Sequence, residues 1–97
     1  MNNSIWKYVL KAGTLNEIDM PFGCELLSVE TQGEDIVIYA LVNTKEDKQQ
    51  KVEVRTYGTG HDIDTNLSNG YKFLGTANLQ AQSLMFHVFY KKTSTSH

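Results

Sequence analysis

Cysteine and proline each occur once in these 97 residues, and no apolar run approaches the ~20 residues a helix needs to cross a bilayer. The lone Cys24 cannot close an internal disulfide and has no second thiol for a metal knuckle, so both staples of small secreted domains are missing. Excess charge of either sign is missing too: nine Lys and Arg stand against eleven Asp and Glu, for a net charge of −2. Such a balance lacks the clustered basic footprint that binds bulk nucleic acid, and no nucleic-acid partner of that kind is expected. The opening residues Met1 to Trp6 have neither the basic stretch nor the apolar stretch of a signal peptide, so the reading is a cytoplasmic protein with no membrane partner. Apolar and aromatic residues make up 40% and charged residues 21%, which suits one globular domain and not a disordered chain.

What is present is alternation. Trp6, Tyr8 and Leu10 share one face of an extended stretch over residues 5–10, with Ile5, Lys7 and Val9 on the other. After a turn at residues 11–14, a second run over 17–20 stops at Pro21, which cannot donate to a ladder and marks a strand end or an edge. Further strands are expected over 24–30, 35–42, 51–57, 71–78 and 84–90, separated by turn residues such as Gly33 and Asn69-Gly70. The run from Ile36 to Val42 is apolar on both faces and reads as a central strand covered on both sides. Across the polar loop 43–50 it is expected to pair antiparallel with 51–57. Gly75 interrupts its strand and signals a bulge or a close backbone approach.

The fold class is therefore all-β: a small sandwich or open barrel of six to seven mainly antiparallel strands. Residues 1–90 form a single β domain and residues 91–97 a mobile polar tail. With no disulfide and no metal, assembly into a homo-oligomer through the apolar face of 36–42 is the remaining way to add stability and cover strand edges.

Several motifs resemble a family of short uncharacterised bacteriophage proteins: Ile5-Trp6-Lys7-Tyr8, Met20-Pro21 with Gly23, Leu27-Ser28-Val29, and Tyr39-Ala40-Leu41-Val42. The series continues with Tyr57-Gly58-Thr59-Gly60-His61, Leu74-Gly75-Thr76 and Phe86-His87-Val88-Phe89. The resemblance runs in order from about residue 5 to residue 90. It implies a phage product acting in the cytoplasm of an infected cell, and it supplies no catalytic residue set. Members of that family carry a shorter loop near residues 66–70.

The sharpest chemical feature is Gly58-Thr59-Gly60-His61-Asp62. Glycines one residue apart permit positive φ and can turn successive N–H groups toward one point, forming a nest for an anion such as phosphate. Thr59 and His61 add a hydroxyl and an imidazole. Arg55, the only arginine, and Tyr57 lie just upstream, positioned to clamp a phosphate and to stack on a base. No helix follows to lend its dipole, and the pattern is neither a P-loop nor a dinucleotide fingerprint. The plainer alternative is a tight bend with local hydrogen bonds, with Arg55 in a cross-strand pair with an acid.

His87 reads as a core or interface residue, with a pairing to His61 across the sheet as the other possibility. Two histidines without a third ligand make no metal site, and Cys24 reads as a small buried hydrophobe. Five of the ten aromatics are tyrosines whose hydroxyls need partners, so some should lie at a surface.

Two functions from different classes follow. One is sequestration, without catalysis or cofactor, of a small phosphate-bearing ligand by Arg55, Tyr57, Gly58, Thr59, Gly60, His61 and Asp62. The ligand would be a nucleotide such as a host immune signal. The other is a protein–protein module, either an inhibitor of a host enzyme or a minor virion component. An enzyme using His61 as general base ranks last, because no paired acid or nucleophile is in view.

Overall fold

The computed structural model describes residues 2–80 and 83–96. Alternating apolar residues place one side of each strand inward, and the chain forms β1 (Asn3–Val9), β2 (Leu15–Pro21), β3 (Glu25–Gln32) and β4 (Asp35–Asn43). These are followed by β5 (Gln49–Gly58), β6 (Lys72–Leu79) and β7 (Leu84–Ser96). Every strand pairing is antiparallel. Three strands form one sheet in the order β1-β4-β3, and four form a second in the order β2-β5-β7-β6. The sheets do not close on each other, so the expected all-β fold of six to seven mainly antiparallel strands, sandwich or open barrel, resolves as an open two-sheet sandwich of seven.

The core lies between the sheets. Leu26, Val29, Ile38, Ala40 and Val42 from the first meet Met20, Val52, Val54, Ala77 and Val88 from the second. β4 is the central strand of its sheet, as its two apolar faces suggest. Ile38 points into the core, while Val37, on the outer face, is also fully buried.

Both sheets carry a bulge, on the strands that lie over each other. The register shifts between Leu26 and Ser28 in β3 and between Phe73 and Gly75 in β6. A Cβ on Gly75 would stand 2.7 Å from Val29 Cγ1, so Gly75 marks a bulge and a close approach at once. Pro21 is likewise both the last residue of β2 and on an edge strand.

Two expectations are corrected. β4 and β5 do not pair: β1 and β3 occupy both sides of β4, so the 43–50 segment carries the chain from one sheet to the other, and β5 pairs with β2 and β7. The polar stretch from Lys91 is also no loose tail as far as Ser96. It continues β7 alongside β5, with Glu53 opposite Lys91, Val52 opposite Lys92 and Gln49 opposite Ser96. Lacking apolar alternation, that stretch gives no sequence signal for a strand; its partner's backbone supplies the pairing. His97 lies outside the described residues.

Candidate functional site

The residues singled out from sequence gather on the outer face of the four-stranded sheet. Along β5, Val52 and Val54 face the core, so Glu53, Arg55 and Tyr57 face away from it, opposite Lys91, Phe89 and His87 of β7. Open sheet faces are normally wet, yet Tyr57 is only 4% exposed. The 59–71 loop accounts for this, because it returns over the sheet and is tied down by side-chain hydrogen bonds.

Arg55 is the centre of those ties. Its Nε donates to the Tyr71 hydroxyl at 3.0 Å, one terminal nitrogen lies 3.4 Å from Glu53 Oε1, and the other is 3.9 Å from Asp64 Oδ1. Tyr71 in turn donates to Glu53 Oε1 at 3.3 Å, and the Arg55 guanidinium and the Lys91 ammonium both stand over its ring, at 5.8 and 5.4 Å from the centroid. Tyr57 donates to Asp64 Oδ1 at 2.9 Å. The hydrogen bond with Tyr71 pushes the Arg55 pKa up, while Tyr57 and then Thr65 hold the Asp64 carboxyl below its usual range. Arg55 is thus an arginine paired with acids, but not across the strands as the plainer reading expects: Glu53 lies two residues away on β5 and Asp64 in the loop, while its strand partners are Leu15 and Phe89. An incoming phosphate would meet two carboxylates beside one guanidinium.

At the glycine corner, Gly58 closes β5 opposite Phe86, and only Gly60 has positive φ, at 85°. The Thr59 N–H donates to the Met85 carbonyl at 3.2 Å and the His61 N–H to the Gly58 carbonyl at 3.1 Å. The first continues the β5–β7 pairing and the second closes a turn, so neither of these two amides is left for a ligand. The His61 ring packs against Gly58, where a Cβ would come within 2.7 Å of it, and Asp62 is exposed. Thr59 Oγ1 is 2.8 Å from His87 Nε2, and Thr76 Oγ1 is 3.2 Å from His87 Nδ1. Both imidazole nitrogens of His87 are therefore engaged by hydroxyls.

The structure thus brings Arg55 and Tyr57 into one network and Gly58, Thr59, Gly60 and His61 into one corner. Sequence reasoning missed Glu53, Asp64 and Thr76 as partners. Tyr71 stood out only as a tyrosine needing a hydrogen bond, and His87 turns to threonines. Cys24 is buried with its Sγ 3.7 Å from Met20 Sδ, and burial pushes its thiol pKa up, which leaves it a poor nucleophile. Among the described residues no three His, Cys, Asp or Glu side chains stand close enough together to hold a metal ion. No described helix is long and apolar enough to cross a membrane.

These features define an all-antiparallel β-sandwich with a loop pinned over one outer face and an apolar surface on the other. The chain belongs to the family described as a domain of unknown function, DUF7352, whose model matches residues 1–97. Comparison with curated proteins and with solved structures gave no match.

Proposed function

We propose that this domain is a non-catalytic protein-contact module that works as a dimer, joined through the outer face of its three-stranded sheet. One observation carries the reading: that face exposes large apolar side chains on both of its edge strands, Ile5 and Val9 on β1 and Leu27 on β3. Ile5 pairs with Leu41, Lys7 with Tyr39 and Val9 with Val37, so all six residues share the outer surface. Ile5 is 61% exposed, Val9 51%, and Leu27, thrown out by the β3 bulge, 44%. A surface of this kind on a small domain calls for a partner.

The charges select a second copy. Lys7 of edge strand β1 reaches across β4 and donates to Gln32 Oε1 at 2.8 Å on edge strand β3, whose Glu25 and Glu30 share the same face opposite Leu41 and Val37. A two-fold axis running along β4 lays β1 of one protomer over β3 of the other with Tyr39 and Leu41 at the centre, and the lysine then exchanges its own Gln32 for the partner's glutamates. An axis across the strands would instead set Lys7 against Lys7, which repels. In this reading the chain is the phage product that its motifs suggest, acting in the host cytoplasm as an inhibitor of a host enzyme or as a minor virion part.

Sedimentation velocity at rising protein concentration tests the proposal. The wild type should show twice the monomer mass and a melting temperature that rises with concentration, Leu41→Lys and Lys7→Glu should be folded monomers whose melting no longer depends on concentration, and Glu30→Lys should restore dimers to Lys7→Glu. A monomeric wild type at high micromolar concentration overturns it.

Nucleotide sequestration at residues 58–62 with Arg55 and Tyr57 is the second reading. It draws on the exposed corner where the Thr59 hydroxyl meets His87 and the His61 ring lies over Gly58. Cyclic and ADP-ribose-type nucleotides should then raise the melting temperature, and His61→Ala should abolish the rise. No shift across such a panel overturns it.

A further inference from the structure

Asn69 and Gly70, near the end of the long β5–β6 loop, belong to neither functional reading. They are the one place in the chain where glycine follows asparagine. Both residues are exposed, Gly70 has positive φ at 86°, and the Asn69 backbone N–H donates to the Asn66 carbonyl at 3.1 Å. The Asn69 side-chain amide and the Gly70 N–H, by contrast, have no hydrogen-bond partner among the described residues. Other asparagine amides are held in place: Asn16 bonds Lys11 through both its oxygen and its nitrogen, and Oδ1 of Asn43 and of Asn66 accepts from the Lys45 and Ser68 amides. The Lys91 side chain runs beside Gly70. A Cβ on that glycine would stand 3.2 Å from Lys91 Cε and 3.7 Å from its Nζ, and among the described residues no carboxylate forms an ion pair with this ammonium.

We infer that Asn69-Gly70 is a self-modification site, at which Asn69 deamidates with Lys91 promoting the step. The Gly70 nitrogen gives its proton to hydroxide and its electron pair forms a bond to Asn69 Cγ. The side-chain nitrogen leaves as ammonia, taking a proton from water, and a cyclic succinimide remains. Water then opens the ring on either side. Breaking the bond from the Gly70 nitrogen to Cγ gives aspartate; breaking its bond to the Asn69 main-chain carbonyl carbon gives isoaspartate, with the chain continuing through the former side chain. Glycine suits the attacking position because it has no Cβ to crowd the approach. The deprotonated amide and the oxyanion that follows it are both negative, and an ammonium alongside stabilises each. Either product adds a negative charge to a chain whose net charge is already −2, and isoaspartate lengthens the main chain by one carbon just before Tyr71. Tyr71 is the residue that ties this end of the loop to Arg55 and Glu53, so the modification reaches the pinned loop without touching the core. The inference rests on neither function proposed above.

The test is peptide mapping by mass spectrometry of the folded full chain after incubation at pH 8. Asn69 should convert ahead of every other asparagine and mainly to isoaspartate, which an isoaspartyl methyltransferase with a labelled methyl donor would tag. Lys91→Gln should slow the conversion about fivefold in the folded protein, the effect of removing a unit charge some 4 Å away in water. Lys91→Arg keeps the charge and should convert at close to the wild-type rate. In urea, where Lys91 no longer lies beside Gly70, Lys91→Gln and the wild type should convert equally fast, whereas Gly70→Ala should be slower than both. Amide exchange in the aged wild type should speed up across residues 62–70 and stay slow in β5 and β7. An intact Asn69 after other asparagines have converted, a folded Lys91→Gln that converts as fast as the wild type, or the same slowing by Lys91→Gln in urea would each overturn the inference.

Discussion

Tyr57, at the end of β5, donates a 2.9 Å hydrogen bond to the exposed carboxylate of Asp64 and so ties the long β5–β6 loop to the sheet face it covers. Removing the hydroxyl tests how much of the loop's order hangs on it. Tyr57→Phe keeps the ring against Phe89, where the two centroids lie 6.4 Å apart edge to face, and deletes only the tie. The variant should stay folded with only a small loss of stability, and amide exchange should speed up across residues 62–70 with β5 and β7 unaffected. The same bond sets a pH response. Asp64 is held below its ordinary pKa in the fold, so its contribution is present above the unfolded value and fades as pH falls through the folded one. Carbon-detected titration should find the Asp64 pKa depressed in the wild type and moved back toward the ordinary range in Tyr57→Phe.

Arg55 holds the other side of the loop, and its role separates a structural guanidinium from a ligand clamp. Arg55→Met leaves Glu53 largely enclosed without its cation and breaks the bond to Tyr71. Loss of a charged hydrogen bond of this kind costs roughly 1.5–3 kcal/mol. Urea unfolding should show that drop with an unchanged m-value. Arg55→Lys should recover little of it, because an ammonium cannot contact Tyr71, Glu53 and Asp64 in one plane. Pairing Arg55→Met with Glu53→Leu should recover more, since the stranded carboxylate goes with it.

Gly58 and Gly75 make a matched pair. A Cβ at either would come within 2.7 Å of a neighbour, but at Gly58 the neighbour is the exposed ring of His61 and at Gly75 it is Cγ1 of buried Val29. The ring can swing aside; the valine is held by the core around it. Gly58→Ala should therefore cost well under about 1 kcal/mol, and Gly75→Ala about 1–3 kcal/mol by overpacking. Val29→Ala should relieve Gly75→Ala in part, a non-additive result that a double-mutant cycle in urea would read directly.

Those glycines also show what a sequence of this type displays and what it hides. Gly75 stands out because it breaks an alternating run, and a strand can lose a side chain there only for a bulge or a neighbour's approach. The strands themselves are legible because each turns alternate apolar residues to one core, as Val52 and Val54 do between Glu53 and Arg55. Pairing is not legible. That β4 lies between β1 and β3 and not beside β5 depends on contacts between residues some thirty positions apart, such as Trp6 opposite Ala40. For the site the limit is the same. Arg55 is conspicuous as the only arginine, but its acid in the loop, Asp64, and its tyrosine, Tyr71, become partners only when the loop folds back. Nothing local distinguishes Asp64 from Asp62 two residues away.

Cys24 offers a test of the core that no ligand is needed to run. Its thiol is buried against Met20, and its pKa is raised first by burial, with Lys92 pulling the other way from its hydrogen bond to the Cys24 carbonyl. A thiol whose folded pKa exceeds its unfolded one favours the fold while both states are protonated. Above about pH 9, where the unfolded thiol ionises and the folded one does not, stability should decline as pH rises. Tyr8, also raised by burial, adds to the decline from about pH 10. Cys24→Ala should flatten the first part of that fall. In the native wild type, disulfide exchange with an aromatic reagent at neutral pH should be slow and should track global unfolding. Rapid labelling of the folded protein would mean that the thiol reaches solvent without the sandwich opening.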